Sequence, residues 1–374
     1  MAREPLPIQI RHGILCSMLT RREMLKGMAA AAAVALTPRL TARAEPDTIP
    51  IAPEPEVPSD FVLTGRAIHT VAIYKEPSTS SERVTSYTRD QSFAILGEVH
   101  APFSSHNDLW YETEEGYAHS AWVLPMRIYP PQPFLPIENE FGFWGEISAV
   151  HTEGRSAPSL GAGSKYRFYG SLVFHVIDAV TDETGVGWYK VVDDYPPRQN
   201  TNHQWVLAQD VRRIPRAEMA PIHPFAGDKR IEVDLAAQTL ICYEGSQEVY
   251  RTLVASGLGG ALATPTGDHA VILKQASRHM SNAPYADMKP EDQPAPGGIF
   301  DLPGVPWNTF IDLAGTAIHG AYWHNDYGIP RSHGCLNVSA DAARFVYRWT
   351  YPIGGYEDDF IQGSARVGTP VIVR

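Results

Sequence analysis

Three histidines and a cysteine fall within seventeen residues, in Ile318-His319-Gly320-Ala321-Tyr322-Trp323-His324 and then Gly328-Ile329-Pro330-Arg331-Ser332-His333-Gly334-Cys335-Leu336-Asn337. A free thiol, with a pKa of about 8.5, is only a few per cent ionised near neutrality, so a nucleophilic cysteine needs an imidazole or a dipole close by. The neighbouring histidines supply that. Gly334 keeps the approach to the sulfur clear of a side chain and lets backbone N–H groups turn toward a developing oxyanion. Together these residue types point to acyl transfer on a cysteine. Trp323, Tyr322, Tyr327 and Arg331 are candidates either to line a substrate groove or to pack, and Arg331 has Asp326 within reach as a salt-bridge partner. His319, His324, His333 and Cys335 also read as four zinc ligands, a rival that stoichiometric zinc in the purified protein would favour.

These residues need a frame. Ile231, Val233 and Leu235 alternate with Glu232 and Asp234, and Leu240-Ile241-Cys242-Tyr243 and Val249 to Val254 follow, which predicts a strand meander. Turns at Gly257 to Gly260 and Thr264-Pro265-Thr266-Gly267 interrupt it. Ala270-Val271-Ile272-Leu273 resumes it, and Thr369-Pro370-Val371-Ile372-Val373 gives a last strand. One helix is predicted just after Cys335: Ser339 as N-cap, Asp341 at its positive end, and Ala342, Phe345, Val346 and Trp349 at i, i+3, i+4, i+7. The polar, Pro-rich stretch Lys274 to Gly298 is long for a structureless loop and reads as a lid over Cys335.

Upstream, proline clusters at Tyr129 to Pro133 and between Pro215 and Pro224 divide the chain. Two units look like diverged copies. Trp110-Tyr111-Glu112 and Trp122-Val123-Leu124 in one match Trp188-Tyr189-Lys190 and Trp205-Val206-Leu207 in the other, at offsets of 78 and 83. A five-residue insertion within Tyr195 to Asn200 would account for the difference. Short alternating runs such as Phe93 to Leu96 and Val173 to Val176 predict strands in both. These units, 61–128 and 143–215, resemble the bacterial Src-homology-3-like barrels found beside cell-wall enzymes, where such barrels bind the wall or act as spacers.

The sequence Ser332-His333-Gly334-Cys335, with His319-Gly320 upstream, Thr264-Pro265-Thr266-Gly267 before it and the Asp341-Ala342 helix after it, resembles the L,D-transpeptidase (YkuD-type) catalytic domain over about 228–374. The resemblance implies a mainly β fold: a β-sandwich catalytic domain with one helix after the catalytic loop, preceded by the two barrels. It makes Cys335 the nucleophile, His319 the general base and His333 a second histidine supporting the thiolate or the geometry. Gly320 or Ser332 would lend the carbonyl that orients the base, and Gly334 the approach. Asn337 stands where many members carry Arg and, with Trp323, Tyr322 and Arg331, bears on substrate binding. The implied partners are peptidoglycan stem tetrapeptides: the acyl group of the third residue passes to Cys335, D-Ala leaves, and an amine on another stem accepts the acyl group in a 3→3 cross-link. Water as acceptor would give an L,D-carboxypeptidase. Acylation by carbapenems is implied, and no metal or organic cofactor.

Composition agrees with a globular protein: 44% hydrophobic and 20% charged residues over 374 leave room for a sizeable core. With a net charge of −11 and no dense Lys/Arg stripe past residue 44, nucleic acid is excluded as a natural partner. Thr20-Arg21-Arg22-Glu23-Met24-Leu25-Lys26, an apolar run to Leu36 and Ala42-Arg43-Ala44 resemble a twin-arginine export signal, 1–44, with cleavage after Ala44 and a linker over 45–60. The apolar run is about half the roughly 20 residues a membrane span needs, so no stable span is expected after cleavage. The mature chain would carry −16 and sit outside the cytoplasm, in the wall or periplasm-equivalent. Met18 is an alternative start. Cys16 leaves with the signal. Cys242 lies in an apolar run and reads as a buried small hydrophobe, with a bridge to Cys335 left open. The remaining rival is a non-catalytic wall-binding protein in which the barrels do the work.

Overall fold

The computed structural model describes residues 61–104, 106–193, 203–281 and 300–374. The export segment and linker, the Tyr195–Asn200 insertion and the 282–298 part of the expected lid lie outside the described residues. The fold is mainly β, with one α-helix among the described residues.

The first unit has eight strands: β1 Val62–Ala67, β2 Val71–Tyr74, β3 Arg83–Tyr87, β4 Ser92–Ala94, β5 Gly97–His100, β6 Leu109–Thr113, β7 Gly116–His119 and β8 Val123–Ile128. The second has seven: β9 Phe143–Ile147, β10 His151–Arg155, β11 Ser164–Tyr169, β12 Val173–Thr181, β13 Gly187–Val192, β14 Gln204–Leu207 and β15 Val211–Arg213. One strand plan is used twice. β1 pairs with β4 and β8 as β9 pairs with β12 and β15, β2 pairs with β3 and β7 as β10 pairs with β11 and β14, and β5-β6-β7 run as β12-β13-β14 do. The long β12 does the work of β4 and β5 together. Trp110-Tyr111 and Trp188-Tyr189 are equivalent and fully buried on β6 and β13. The second Trp pair is not equivalent: Trp122 ends the 3₁₀ turn Ser120–Trp122, whose counterpart is Ala208–Asp210, whereas Trp205 lies on β14. A shared Trp-Val-Leu string had aligned a turn with a strand.

The C-terminal unit holds two five-stranded sheets. The first is ordered β18-β17-β16-β25-β19, from β16 Lys229–Asp234, β17 Thr239–Glu244, β18 Gln247–Leu253, β19 Gly267–Ala270 and β25 Pro370–Val373. Its inward residues Ile231, Val233, Leu240, Cys242, Val371 and Val373 alternate with more exposed ones, as the period-2 pattern requires. The second is ordered β23-β22-β21-β20-β24, from β20 Leu273–Ser281, β21 Asp301–Phe310, β22 Ala317–Gly320, β23 Leu336–Val338 and β24 Ile361–Gln362. β20 corrects the lid expectation: Lys274 to Ser281 is strand, buried at Lys274, Gln275, Ala276 and Ser277. It lacked apolar alternation because its polar side chains are paired inside; Lys274 Nζ donates to the carbonyls of Tyr347 (2.8 Å) and Thr350 (2.9 Å), and Ser277 to Val173 of the second unit.

Helix α1, Ala340–Trp349, packs on β21 and β22. The Ser339 hydroxyl accepts from Ala342 N–H at 3.2 Å, and Ala342, Ala343, Val346 and Trp349 are buried while Phe345 stacks on Tyr250 at 4.0 Å. The second and C-terminal units share one continuous apolar core, joined by Ile68, Leu124 and Met126 of the first, which also has a core of its own. Polar ties run alongside. Arg127 binds Asp341 through both guanidinium nitrogens (2.6 and 2.7 Å), and Trp144 Nε1 donates to Tyr356 O at 2.8 Å.

Candidate active site

Cys335 ends the turn that enters β23, and His319 lies on β22. The two strands are parallel and in register, with Ile318 opposite Leu336, His319 opposite Asn337 and Gly320 opposite Val338. Paired residues share a face of the sheet and alternate residues return to it. Carried one residue back, the pleat puts Cys335 on the face of His319 and Asn337, two positions or about 7 Å along the strand direction from the histidine. Ile318 and Leu336 fill the opposite face and are fully buried.

The turn itself is tightly tied. The Ser332 hydroxyl donates to Cys335 O at 2.5 Å and accepts from Gly334 N–H at 3.1 Å. Gly334 takes φ +118°, a conformation that side-chain-bearing residues rarely adopt, so glycine is needed here for its backbone more than for space. Its carbonyl accepts from Thr264 Oγ1 at 2.9 Å, and the same oxygen accepts from Gly257 N–H at 2.8 Å. Ser256 O receives the amides of both Arg331 (2.8 Å) and Ser332 (2.9 Å), and Ala255 exchanges backbone hydrogen bonds with Asn337. The segment 254–264 thus clamps the turn from one side. Thr264 and Ser256 were not singled out in the sequence; the only signal was the Thr-Pro-x-Gly turn that contains Thr264.

His319 is 2% exposed and its Nδ1 lies 3.1 Å from Gly320 O. That carbonyl can only accept, so Nδ1 carries the proton and Nε2 is left as the basic nitrogen. Of the two carbonyls expected near this imidazole, that of Gly320 is the one at hydrogen-bonding distance, while Ser332 O accepts from Leu258 N–H at 3.0 Å. Gly320 also has no room for a side chain, as a Cβ there would meet Pro306 and the start of α1. Burial lowers the His319 pKa to about 4, against the pull of the Gly320 hydrogen bond. Cys335 is half-buried, with Sγ 3.8 Å from Gly315 O, and burial pushes its thiol up to about 11 while a hydrogen bond with the Ala317 backbone opposes that. Thiol and imidazole are both neutral at pH 7.

The other candidates separate. His333 is exposed, with its ring 4.9 Å from that of Phe300. Trp323 is half-buried, 5.8 Å from the His319 ring. Tyr322 is buried, and its backbone carbonyl accepts from Arg66 of the first unit at 2.7 Å. Asn337 is buried as well, which replaces a groove role with an internal one. Its amide lies 3.4 Å from His324 Nε2. His324 Nδ1 lies 3.4 Å from Asp326 N–H, so its two ring nitrogens face the backbone of Asp326 and the amide of Asn337. Asn337 faces the ring with its amide nitrogen, and its Oδ1 has no hydrogen-bond partner among the described residues. Burial first, and then repulsion from Arg331, lowers the His324 pKa to about 4. Arg331 is bound to Asp326, the structural alternative recognised in the sequence. Among the described residues no three His, Cys, Asp or Glu side chains converge to hold a metal.

Residues 228–373 match the YkuD family model, the L,D-transpeptidase catalytic domain. The match contains both strands and the whole Ser332–Cys335 turn. Solved structures similar to the chain include the L,D-transpeptidase of Enterococcus faecium, 24% identical, with 41% of this chain and 52% of that chain covered at a TM-score of 0.29. The L,D-transpeptidase of Mycobacterium smegmatis is 18% identical, covering 54% and 90% at 0.31, and L,D-transpeptidase 3 of Mycobacterium tuberculosis is 16% identical, covering 50% and 91% at 0.29. The aligned part therefore spans about half the length of the Enterococcus structure. No curated protein sequence matches the chain.

Proposed function

We propose that this protein is an exported L,D-transpeptidase that remodels peptidoglycan through a Cys335 thioester. The reading is supported by the parallel pairing of the strand that carries His319 with the strand that Cys335 immediately precedes, inside the segment that matches the L,D-transpeptidase catalytic domain. Sγ attacks the carbonyl of the third residue of a stem tetrapeptide, and His319 Nε2 takes the thiol proton. The oxyanion is met by backbone N–H; Gly334 N–H is committed to Ser332 Oγ, which favours the Cys335 N–H for this task. The intermediate collapses to the thioester as D-Ala departs with a proton returned from His319. An amine on a second stem then attacks the thioester, loses its proton to His319 and regenerates the thiol, leaving a 3→3 cross-link.

Because the free site holds a neutral pair, the thiolate forms as the attack occurs and is not stored beforehand. His333, at the rim, and Trp323 are the candidates to meet the stem peptide. The two upstream units, with their repeated strand plan, are read as Src-homology-3-like barrels, and the N-terminal segment as a twin-arginine-type signal. Among the described residues no helix is long and apolar enough to cross a membrane.

The test is incubation with a disaccharide-tetrapeptide. D-Ala release with a cross-linked dimer supports the transferase. D-Ala release without dimer turns the reading into an L,D-carboxypeptidase, and no release from folded, reduced protein refutes both.

A further inference from the structure

The segment between His319 and the nucleophile turn, 321–331, leaves the C-terminal unit and lies on the first one. Asp326, 4% exposed, is the centre of that contact: Oδ1 accepts from His106 Nε2 at 3.0 Å and Asn107 Nδ2 at 3.4 Å, both of the first unit, and Oδ2 accepts from Arg331. Asn107 is fixed in turn by the Ser120 hydroxyl and Ser104. Next to it Asn325 Nδ2 donates to Tyr111 OH (3.2 Å) and Ser120 O (3.3 Å), and a Cβ at Gly328 would crowd His106. At the start of the segment Arg66, 3% exposed, donates to Tyr322 O while its guanidinium stacks 3.9 Å from the Tyr169 ring of the second unit.

Both ends of this contact reach the reacting groups. Arg331 precedes Ser332, whose hydroxyl ties down Gly334 and Cys335. On the other side the Asp326 N–H lies 3.4 Å from His324 Nδ1, His324 Nε2 lies 3.4 Å from the Asn337 amide nitrogen, and Asn337 stands opposite His319 in the sheet register.

We infer that the first β-unit is part of the catalytic apparatus, with His106 and Asp326 acting as positioning residues that fix the 321–331 segment and thereby the relation of Cys335 to His319. This rests on the proposed cysteine chemistry but not on the identity of its substrate. Losing the His106 hydrogen bond leaves Oδ1 of this buried carboxylate with only the longer Asn107 contact, so Asp326 and the Arg331 it binds are less firmly held and the turn can shift. A turn that has shifted holds a better hydrated thiol in a poorer alignment, so alkylation and acylation move in opposite directions.

The test compares wild type, His106→Ala, His106→Gln and Arg127→Ala. The last cuts an exposed salt bridge between the same unit and α1 without touching the segment. Two rates are read by intact mass, alkylation by iodoacetamide and acylation by a carbapenem, with thermal midpoints as a check on folding. The expected result for His106→Ala is acylation slowed about 10- to 100-fold, with the half-saturating concentration little changed, and faster alkylation of Cys335. His106→Gln, which keeps a donor, restores both rates, and Arg127→Ala leaves both at the wild-type value. Alkylation of Cys335 in His106→Ala at the wild-type rate overturns the inference, as does an equal effect of Arg127→Ala. Wild-type protein that resists the carbapenem counts against the proposed function instead, and the alkylation rates still decide the positioning role.

Discussion

Cys242 and Cys335 are the same residue in opposite settings. Cys242 sits at the middle of β17, fully buried, paired across the ladder with Ile231 and Tyr250. Burial raises its thiol pKa far above the ordinary range, with the Glu244 carboxylate adding to the effect. Cys335 is also held protonated by burial, yet it stands at a turn built from Ser332, Gly334 and Thr264, half-open to solvent and beside a strand that presents His319. A perturbed thiol pKa is common to both, so it does not set the proposed nucleophile apart. What separates them is access, a backbone that only glycine adopts readily, and a neutral imidazole on the same face of the sheet.

The largest effect is expected at His319, the proposed base. His319→Gln is expected to lower acylation by about 10²- to 10⁴-fold in stopped-flow or mass-based assays, the range for loss of a general base. A loss of twofold or less would mean that His319 only packs. The pH dependence of alkylation comes next. With the Cys335 thiol pushed up to about 11, its thiolate fraction, and so its iodoacetamide rate, climbs about tenfold per pH unit from 7 to 10 with no plateau. A plateau near neutrality would reveal a preformed ion pair with His319. Cys242 stays unreacted throughout in folded protein.

Thr264→Val sharpens the role of the turn. It leaves the Gly334 carbonyl and the Gly257 amide without their shared partner, at a cost of about 1–3 kcal/mol in a denaturant titration and about tenfold in acylation rate. Unchanged acylation would show that the clamp serves stability alone. The smallest effect belongs to Cys242→Ala, which removes one buried sulfur for about 1–2 kcal/mol and leaves activity intact. Activity lost with stability intact would give Cys242 a part in the chemistry.

Local signals were legible where residues act on near neighbours. The Ser339 cap and the Ala342–Val346–Trp349 face appear in α1 as the spacing requires, and the alternation of Ile231 and Val233 appears in β16. The Cys335 turn could be picked out because its residues are contiguous. β20 could not, since its inward positions include Lys274, Gln275 and Ser277, whose partners lie far away in sequence. Nor could β21, with Pro303, Gly304 and Pro306 inside a ten-residue strand and Trp307 at φ +60°. The tie from His106 to Asp326 spans 220 positions, and no local pattern carries it. Tyr322 and Asn337 illustrate the same gap: residue type suggested the first for the groove and the family resemblance the second, and neither carries a signal of its burial.

In the proposed mechanism Cys335 alone forms the acyl-enzyme. The most direct test of this is the intact mass of wild type, Cys335→Ala and Cys242→Ala after exposure to a disaccharide-tetrapeptide and, separately, to a carbapenem. The account predicts one covalent adduct on wild type and on Cys242→Ala, D-Ala release from both, and neither on Cys335→Ala. An adduct that survives Cys335→Ala, or folded and reduced wild type that takes up nothing, would contradict it.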